Sequence, residues 1–410
     1  MSACDQCLRR GLTLELLAGH LETERARIDE LLVCPDEALV DTVAAERAGE
    51  LRRTLARFDA DAERARVAAA GLGVVCRCSP DYPRRLLGLS APPAALYLAG
   101  SPWWLGSLAA EPAVAIVGAR RASSYGIETA RSLASELAVA GVTVVSGLAF
   151  GIDGAAHAGA LEASGGEAVP SGGEAVPSGG EAVPSGGEAV PSGGEAVPSG
   201  GEAVPSGGDS AGCVTIAVLA GGADRPYPAS HRRLYTRIRR AGLVVSELPP
   251  GVRPRRWMFP ARNRIIAALG AITIVVQARA RSGALVTARH AAQLGRLVGA
   301  VPGQVSSPLS SGPHALIRGG AELITGAQDV LDLLYGPGAR SVVDGRRAQL
   351  APGDAALLEV LEEGHEGHAA FVRAGLGPVQ GLEAIAALEL AGFVRRSPGG
   401  RLAVTGSRPR

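Results

Sequence analysis

The chain has 410 residues with 41 basic against 40 acidic side chains, so net charge gives no reason to assign it to nucleic acid or to a membrane surface. That length is more than one ordinary core requires and suggests two or three domains. Nearly half the residues are hydrophobic, but only 3% are aromatic, so Ala, Val, Leu and Ile must fill the core. Every fixed cation is arginine, because the chain contains no lysine.

Residues 1–80 carry helical periodicity, with Leu12, Leu16 and Leu17 on one face and a charged run from Glu22 to Glu30, and are expected to form a small helical domain. Short β-branched runs follow at Ala113–Val117 and Val142–Val145, each ending in a glycine-bearing turn that leads into a helical pattern. Further runs lie at Thr215–Leu219, Leu243–Val245, Ile272–Val276 and Leu297–Val301. Apolar strands that alternate with helices predict an α/β fold, a Rossmann-like, doubly wound and mainly parallel sheet over residues 81–335.

A low-complexity loop over 165–211 interrupts this domain and contains six copies of EAVPSGG from Glu167 to Gly208. One proline and two glycines per repeat forbid a continuous helix, so a flexible, partly extended loop is expected. Residues 336–345 read as a linker. Residues 346–410 read as three helices and a Gly399-Gly400 hairpin, the order of a winged helix.

No apolar run approaches the roughly 18 residues that span a bilayer, and the amino terminus has no signal core. A cytoplasmic protein with reduced cysteines is therefore expected, and no membrane partner. Cys4-x-x-Cys7 and Cys76-x-Cys78 could meet at a zinc ion, but the second pair has a single intervening residue and no knuckle pattern surrounds it. No metal and no cofactor are assigned.

The candidate chemistry lies at strand ends. After the first strand, Gly118, Arg120 and Arg121 precede a helix and could cradle a phosphate, although GxGxxG is absent. After the second, Ser146, Gly147, Gly151 and Asp153 form another small-residue turn, and both turns should face one crevice. Asp153 and His157 could share a helical face for acid/base work, but a capping Asp with a packed His is preferred. The segment RPRRWMFPARNR, Arg253–Arg264, has five arginines, no acid, and both Trp257 and Phe259, a composition suited to gripping a single strand by charge and stacking. Arg262, Asn263 and Arg264 close that segment, and Ser282-Gly283 open the helix beyond the next strand.

The motifs AIVGARRASSYG, VVSGLAFGIDGAAHAGAL, GGADRPYP, SELPPG, FPARNRIIAALG, SGALVTARHAAQLGR and AVPG, in this order between about Tyr82 and Leu334, resemble the DprA/Smf family. The resemblance implies a Rossmann-like domain that dimerises, binds single-stranded DNA in a basic pocket, protects incoming DNA and loads a RecA-type recombinase in natural transformation. It implies that the pocket is drawn from Gly118, Arg120, Ser146, Gly147, Gly151, Asp153, Phe259, Arg262, Asn263, Arg264, Ser282 and Gly283, with no catalytic residue. Gln277 stands where the family pattern has Glu, and His314 where it has Asn. The competing reading is a nucleotide-hydrolysing enzyme of the phosphoribohydrolase-like branch using Glu247 or Asp153. It lacks that branch's PGGxGTxxE pattern, and no nucleophile–base pair supports it.

Overall fold

The computed structural model describes residues 3–101, 112–163, 213–341, 350–396 and 402–404. The EAVPSGG repeat, the Gly399-Gly400 turn and residues 342–345 of the expected linker lie outside these residues. Packing divides the chain into Met1–Arg340 and Ser341–Arg410.

The first unit is built on a nine-stranded sheet: β1 (Gly73–Cys76), β2 (Ala95–Gly100), β3 (Ala113–Val117), β4 (Thr143–Ser146), β5 (Thr215–Val218), β6 (Leu243–Ser246), β7 (Gly270–Val275), β8 (Leu297–Ala300) and β9 (Glu322–Leu323). The spatial order is β1-β2-β6-β5-β4-β3-β7-β8-β9. Strands β6 to β9 are all parallel, whereas β2 runs antiparallel to β1 and β6. The order reverses between β3 and β7, the kind of switch point beside whose carboxyl ends open α/β sheets bind ligands. Strands β4 and β5, on either side of the repeat, are hydrogen-bonded neighbours through Val144 and Thr215.

Central strands β3 to β6 are buried throughout, as expected of a sheet covered on both faces. Helix α7 (Ser124–Val139) starts where the Ser123 side chain accepts the Gly126 N–H, and buries Ala130, Leu133, Ala134 and Leu137 at helical spacing. It packs against α8 (Ile152–Glu162), where a Cβ on Gly159 would stand 2.0 Å from the Arg131 carbonyl oxygen. Only a residue without a side chain permits that approach, which Arg131 and Glu162 then bridge.

The amino-terminal helices α1 (Asp5–Leu16), α2 (Ala18–Thr23), α3 (Ile28–Val33), α4 (Asp36–Val43), α5 (Ala48–Ala56) and α6 (Ala60–Ala69) do not pack as a separate body. Cys7 and Leu8 of α1 share a core with Val74, Tyr97 and Ala217 of the sheet, and Leu14, Leu17, Leu21, Leu31 and Leu51 share another with Leu248, Trp257 and Met258. The boundary expected at residue 80 is therefore no break in packing. None of the described helices is long and apolar enough to cross a membrane.

The second unit has α14 (Pro352–Glu362), α15 (Gly367–Arg373) and α16 (Pro378–Leu390), followed by an antiparallel hairpin of β10 (Val394–Arg396) and β11 (Leu402–Val404). Leu357, Leu361, Phe371, Ile385, Leu388 and Phe393 form its core.

Candidate nucleic-acid interface

Helix α10 (Met258–Leu269) carries most of the basic segment, and its geometry divides that segment between two faces. Phe259, Arg262 and Asn263 are spaced i, i+3, i+4 and lie on one side; Trp257 and Arg264, seven apart, lie on another. The first face turns toward the strand ends. The Arg120 guanidinium stands 4.8 Å from the Phe259 ring centroid, and Tyr227 lies 5.6 Å from the same ring. Asn263 Nδ2 donates to the Gly283 carbonyl at 3.3 Å, joining α10 to the start of α11 (Gly283–Gln293), where Ser282 accepts the Ala284 N–H.

Arg262 is buried beneath the turn after β4 and donates to the Val218 carbonyl. A Cβ on Gly147 would lie 2.0 Å from Arg262 Nη1, so glycine is what lets the turn cover this guanidinium. The turn is tightly wound, with Leu148 at φ 54° and Gly151 at φ 72°. A side chain on Gly151 would also strike the Ala119 carbonyl. Likewise, a Cβ on Gly118 would strike Ile152. These glycines hold the turns after β3 and β4 together.

Asp153 is buried in the first turn of α8, with Gly151 and not Asp153 at the N-cap position. Burial raises its carboxyl above the ordinary Asp range, opposed by the charges of Arg262 and Arg120 and by the N–H groups of Ala149 and Gly147. Burial pushes the Arg262 guanidinium down to about 10, and Asp153 opposes that change. One acid thus stands against two arginines, buried Arg262 and exposed Arg120, and Arg121 is exposed beside them.

Four expectations for site residues are corrected. Trp257 is no stacking surface: its ring is buried among the amino-terminal helices and Nε1 donates to the Ala18 carbonyl at 3.0 Å. Arg264 is no free cation, because Nη2 reaches both oxygens of Glu247 at 2.7 and 2.6 Å. Ser146 is buried and donates its hydroxyl to the Ile116 carbonyl at 2.7 Å. Asp153 is too deeply buried to touch a polyanion and instead supports the arginines.

His157 is also buried, with Nδ1 2.7 Å from the Thr215 hydroxyl, which itself donates to the Val144 carbonyl. Burial pushes its pKa down to about 3, with the charges of His231 and Arg262 adding to the shift. The folded chain therefore binds fewer protons here than the unfolded chain. This contribution to stability is complete above the ordinary His pKa and is lost as pH falls toward the folded value. Denaturant titration should show about 2 kcal/mol less from this group at pH 5 than at pH 7.5, and His157→Gln should flatten the difference.

Two departures from the family pattern have structural roles. Gln277 Oε1 accepts the Ser123 N–H at 3.0 Å while its Nε2 donates to the Ser123 hydroxyl at 2.7 Å, fixing the entry to α7. His314 Nε2 lies 3.0 Å from the Gly303 carbonyl and closes the turn after β8. Tyr227, which sequence reasoning missed, sits in GGADRPYP, one of the motifs of the resemblance. A cavity of about 600 Å³ is lined only by residues of the amino-terminal helical region, including Arg53, Arg57 and Arg66, and takes no part in this edge.

The fold and the strand-end turns define a Rossmann-like protein with an arginine- and glycine-rich carboxyl edge to its sheet. The model of the family DNA recombination-mediator protein A matches residues 73–174 and 204–335, and the chain belongs to that family. It is 38% identical over 297 residues to a Mycobacterium tuberculosis (strain H37Rv) protein that carries the name DNA processing protein DprA, covering 68% of this chain and 61% of that relative. Protein Smf of Escherichia coli K12 is 33% identical over 338 residues, covering 78% of this chain and 75% of its own. The X-ray structure of DNA processing protein A from Streptococcus pneumoniae superposes with a TM-score of 0.54 at 30% identity, covering 73% of this chain and 86% of that one.

Proposed function

We propose that this chain binds single-stranded DNA along the carboxyl edge of β3, β4 and β7 and acts as a recombination mediator. The observation that carries this reading is the Arg120 guanidinium over Phe259, with Tyr227 alongside, in a turn that also exposes Arg121. Cation and ring together can pair a phosphate with a stacked base, which holds a strand without reading its sequence. Gly118, Gly147 and Gly151 keep the turns close, buried Arg262 adds charge from below, and Asn263 with Ser282 and Gly283 extends the edge toward α11.

Fluorescence anisotropy with an oligothymidylate tests this. Arg120→Ala, a change at an exposed position, should weaken binding and reduce the slope of log K against log salt by about 0.7, the value of one single-strand phosphate. An unchanged slope would remove Arg120 from the interface.

Family membership supports two further steps: delivery of the strand to a RecA-type recombinase and action as a homodimer in the cytoplasm. Strand-exchange assays and sedimentation equilibrium test them in turn. We also read the carboxyl-terminal unit as a winged-helix-like module. The hydrolase reading takes second place, because Glu247 is held by Arg264 through both oxygens and a carboxylate so engaged is a poor base.

A further inference from the structure

Two cysteine pairs far apart in sequence meet where α1 begins and β1 ends. Cys4 is the N-cap of α1, with extended backbone, and its carbonyl accepts the N–H groups of Cys7 and Leu8 at 3.1 Å. Cys4 and Cys7 therefore share the first turn of the helix. Cys76 closes β1, and Cys78 follows in a turn where the Ser79 N–H donates to the Cys76 carbonyl at 2.8 Å. This turn folds the chain back, so Cys78 comes beside the cysteines of α1 with a single residue between it and Cys76.

The four sulfurs all lie within 4.8 Å of one another. Cys78 Sγ is 3.9 Å from both Cys4 Sγ and Cys7 Sγ. A disulfide would require about 2.05 Å, and all four cysteines are free thiols. Four thiolates at zinc–sulfur bonds of about 2.3 Å define a tetrahedron with edges of about 3.8 Å, close to the two separations found. The Cys4 N–H also lies 3.4 Å from Cys76 Sγ, the kind of outer hydrogen bond that steadies a thiolate ligand. Cys7 and Cys76 are buried whereas Cys78 is exposed, which leaves a route by which an ion can enter.

We propose that Cys4, Cys7, Cys76 and Cys78 form a tetrahedral zinc site that fastens the amino-terminal helices to the edge of the sheet. With four protein ligands the site is closed, so its role is structural and no reacting molecule reaches the metal. Zinc binding by neutral thiols releases their protons to solvent, so affinity falls in acid. The reason for leaving these cysteines unassigned from sequence, the short second spacing, disappears once that pair is seen at a strand end facing a helix start.

The test uses the full chain purified under reducing conditions. Elemental analysis should find about one zinc per chain, and a mercurial that titrates the thiols should release it. The metal-free protein given cobalt should develop the intense visible bands of a tetrahedral site and a near-ultraviolet thiolate-to-cobalt band. Cys4→Ser/Cys78→Ser should lose stoichiometric metal, whereas Cys34→Ser, outside the cluster, should keep it. A soluble wild-type chain that takes up neither zinc nor cobalt would overturn the assignment, whatever the double variant does. So would iron in place of zinc, or stoichiometric zinc retained by the double variant.

Discussion

Replacing Arg262 with Leu is expected to lower the unfolding free energy by about 3–5 kcal/mol, read from urea titrations at pH 7.5. The guanidinium is buried, donates to the Val218 carbonyl and opposes the rise of the Asp153 carboxyl toward its neutral form. Removing it leaves a buried acid with less compensating charge and a buried carbonyl without this donor. The pH dependence identifies the cause. Asp153 already has a raised folded pKa, and losing Arg262 raises it further. The deficit should therefore be small below the ordinary Asp pKa, where the group is protonated in both states, and should grow as pH rises through the folded value. Arg262→Leu/Asp153→Asn should recover part of the loss. Equal deficits for the single and double variants would show that the two groups are not coupled.

Arg264→Ala should also be costly, at about 3 kcal/mol, but for a reason unrelated to DNA. Its guanidinium is engaged with both oxygens of Glu247, and the pair lies at the side of α10 turned away from Phe259. Truncation strands a mostly buried carboxylate. The double variant Arg264→Ala/Glu247→Ala should be more stable than the sum of the two single losses predicts, which is the mark of direct coupling. Oligonucleotide affinity, corrected for the folded fraction, should match wild type. A selective loss of affinity in Arg264→Ala would return this residue to the interface.

These two arginines, two positions apart, show what the sequence could and could not convey. The sheet was legible because its strands are fully apolar and bounded by turns: the runs at Ala113–Val117, Thr215–Leu219 and Leu243–Val245 lie within a residue of the observed strands. The glycine turns at strand ends were legible for the same reason. Composition could mark Arg253–Arg264 as basic and aromatic, but only helical phase decides which side chains face the edge. That phase sends Phe259, Arg262 and Asn263 one way and Trp257 and Arg264 the other. Strands β1 and β2 escaped notice because Gly73–Cys76 is a very short run beside a helical region, and their antiparallel addition depends on contacts distant in sequence. The packing of the amino-terminal helices onto Trp257 was hidden likewise, since amphipathic helices show that a face is covered without showing by what.

In the proposed complex a single strand lies across Arg120 and Phe259. Photo-cross-linking with an oligonucleotide carrying halogenated uracil, followed by mass spectrometry of the attached peptides, addresses this directly. Attachment at Phe259 or Tyr227, lost in Phe259→Ala/Tyr227→Ala, is the expected result. Attachment confined to the carboxyl-terminal unit or to the amino-terminal helices would contradict the account.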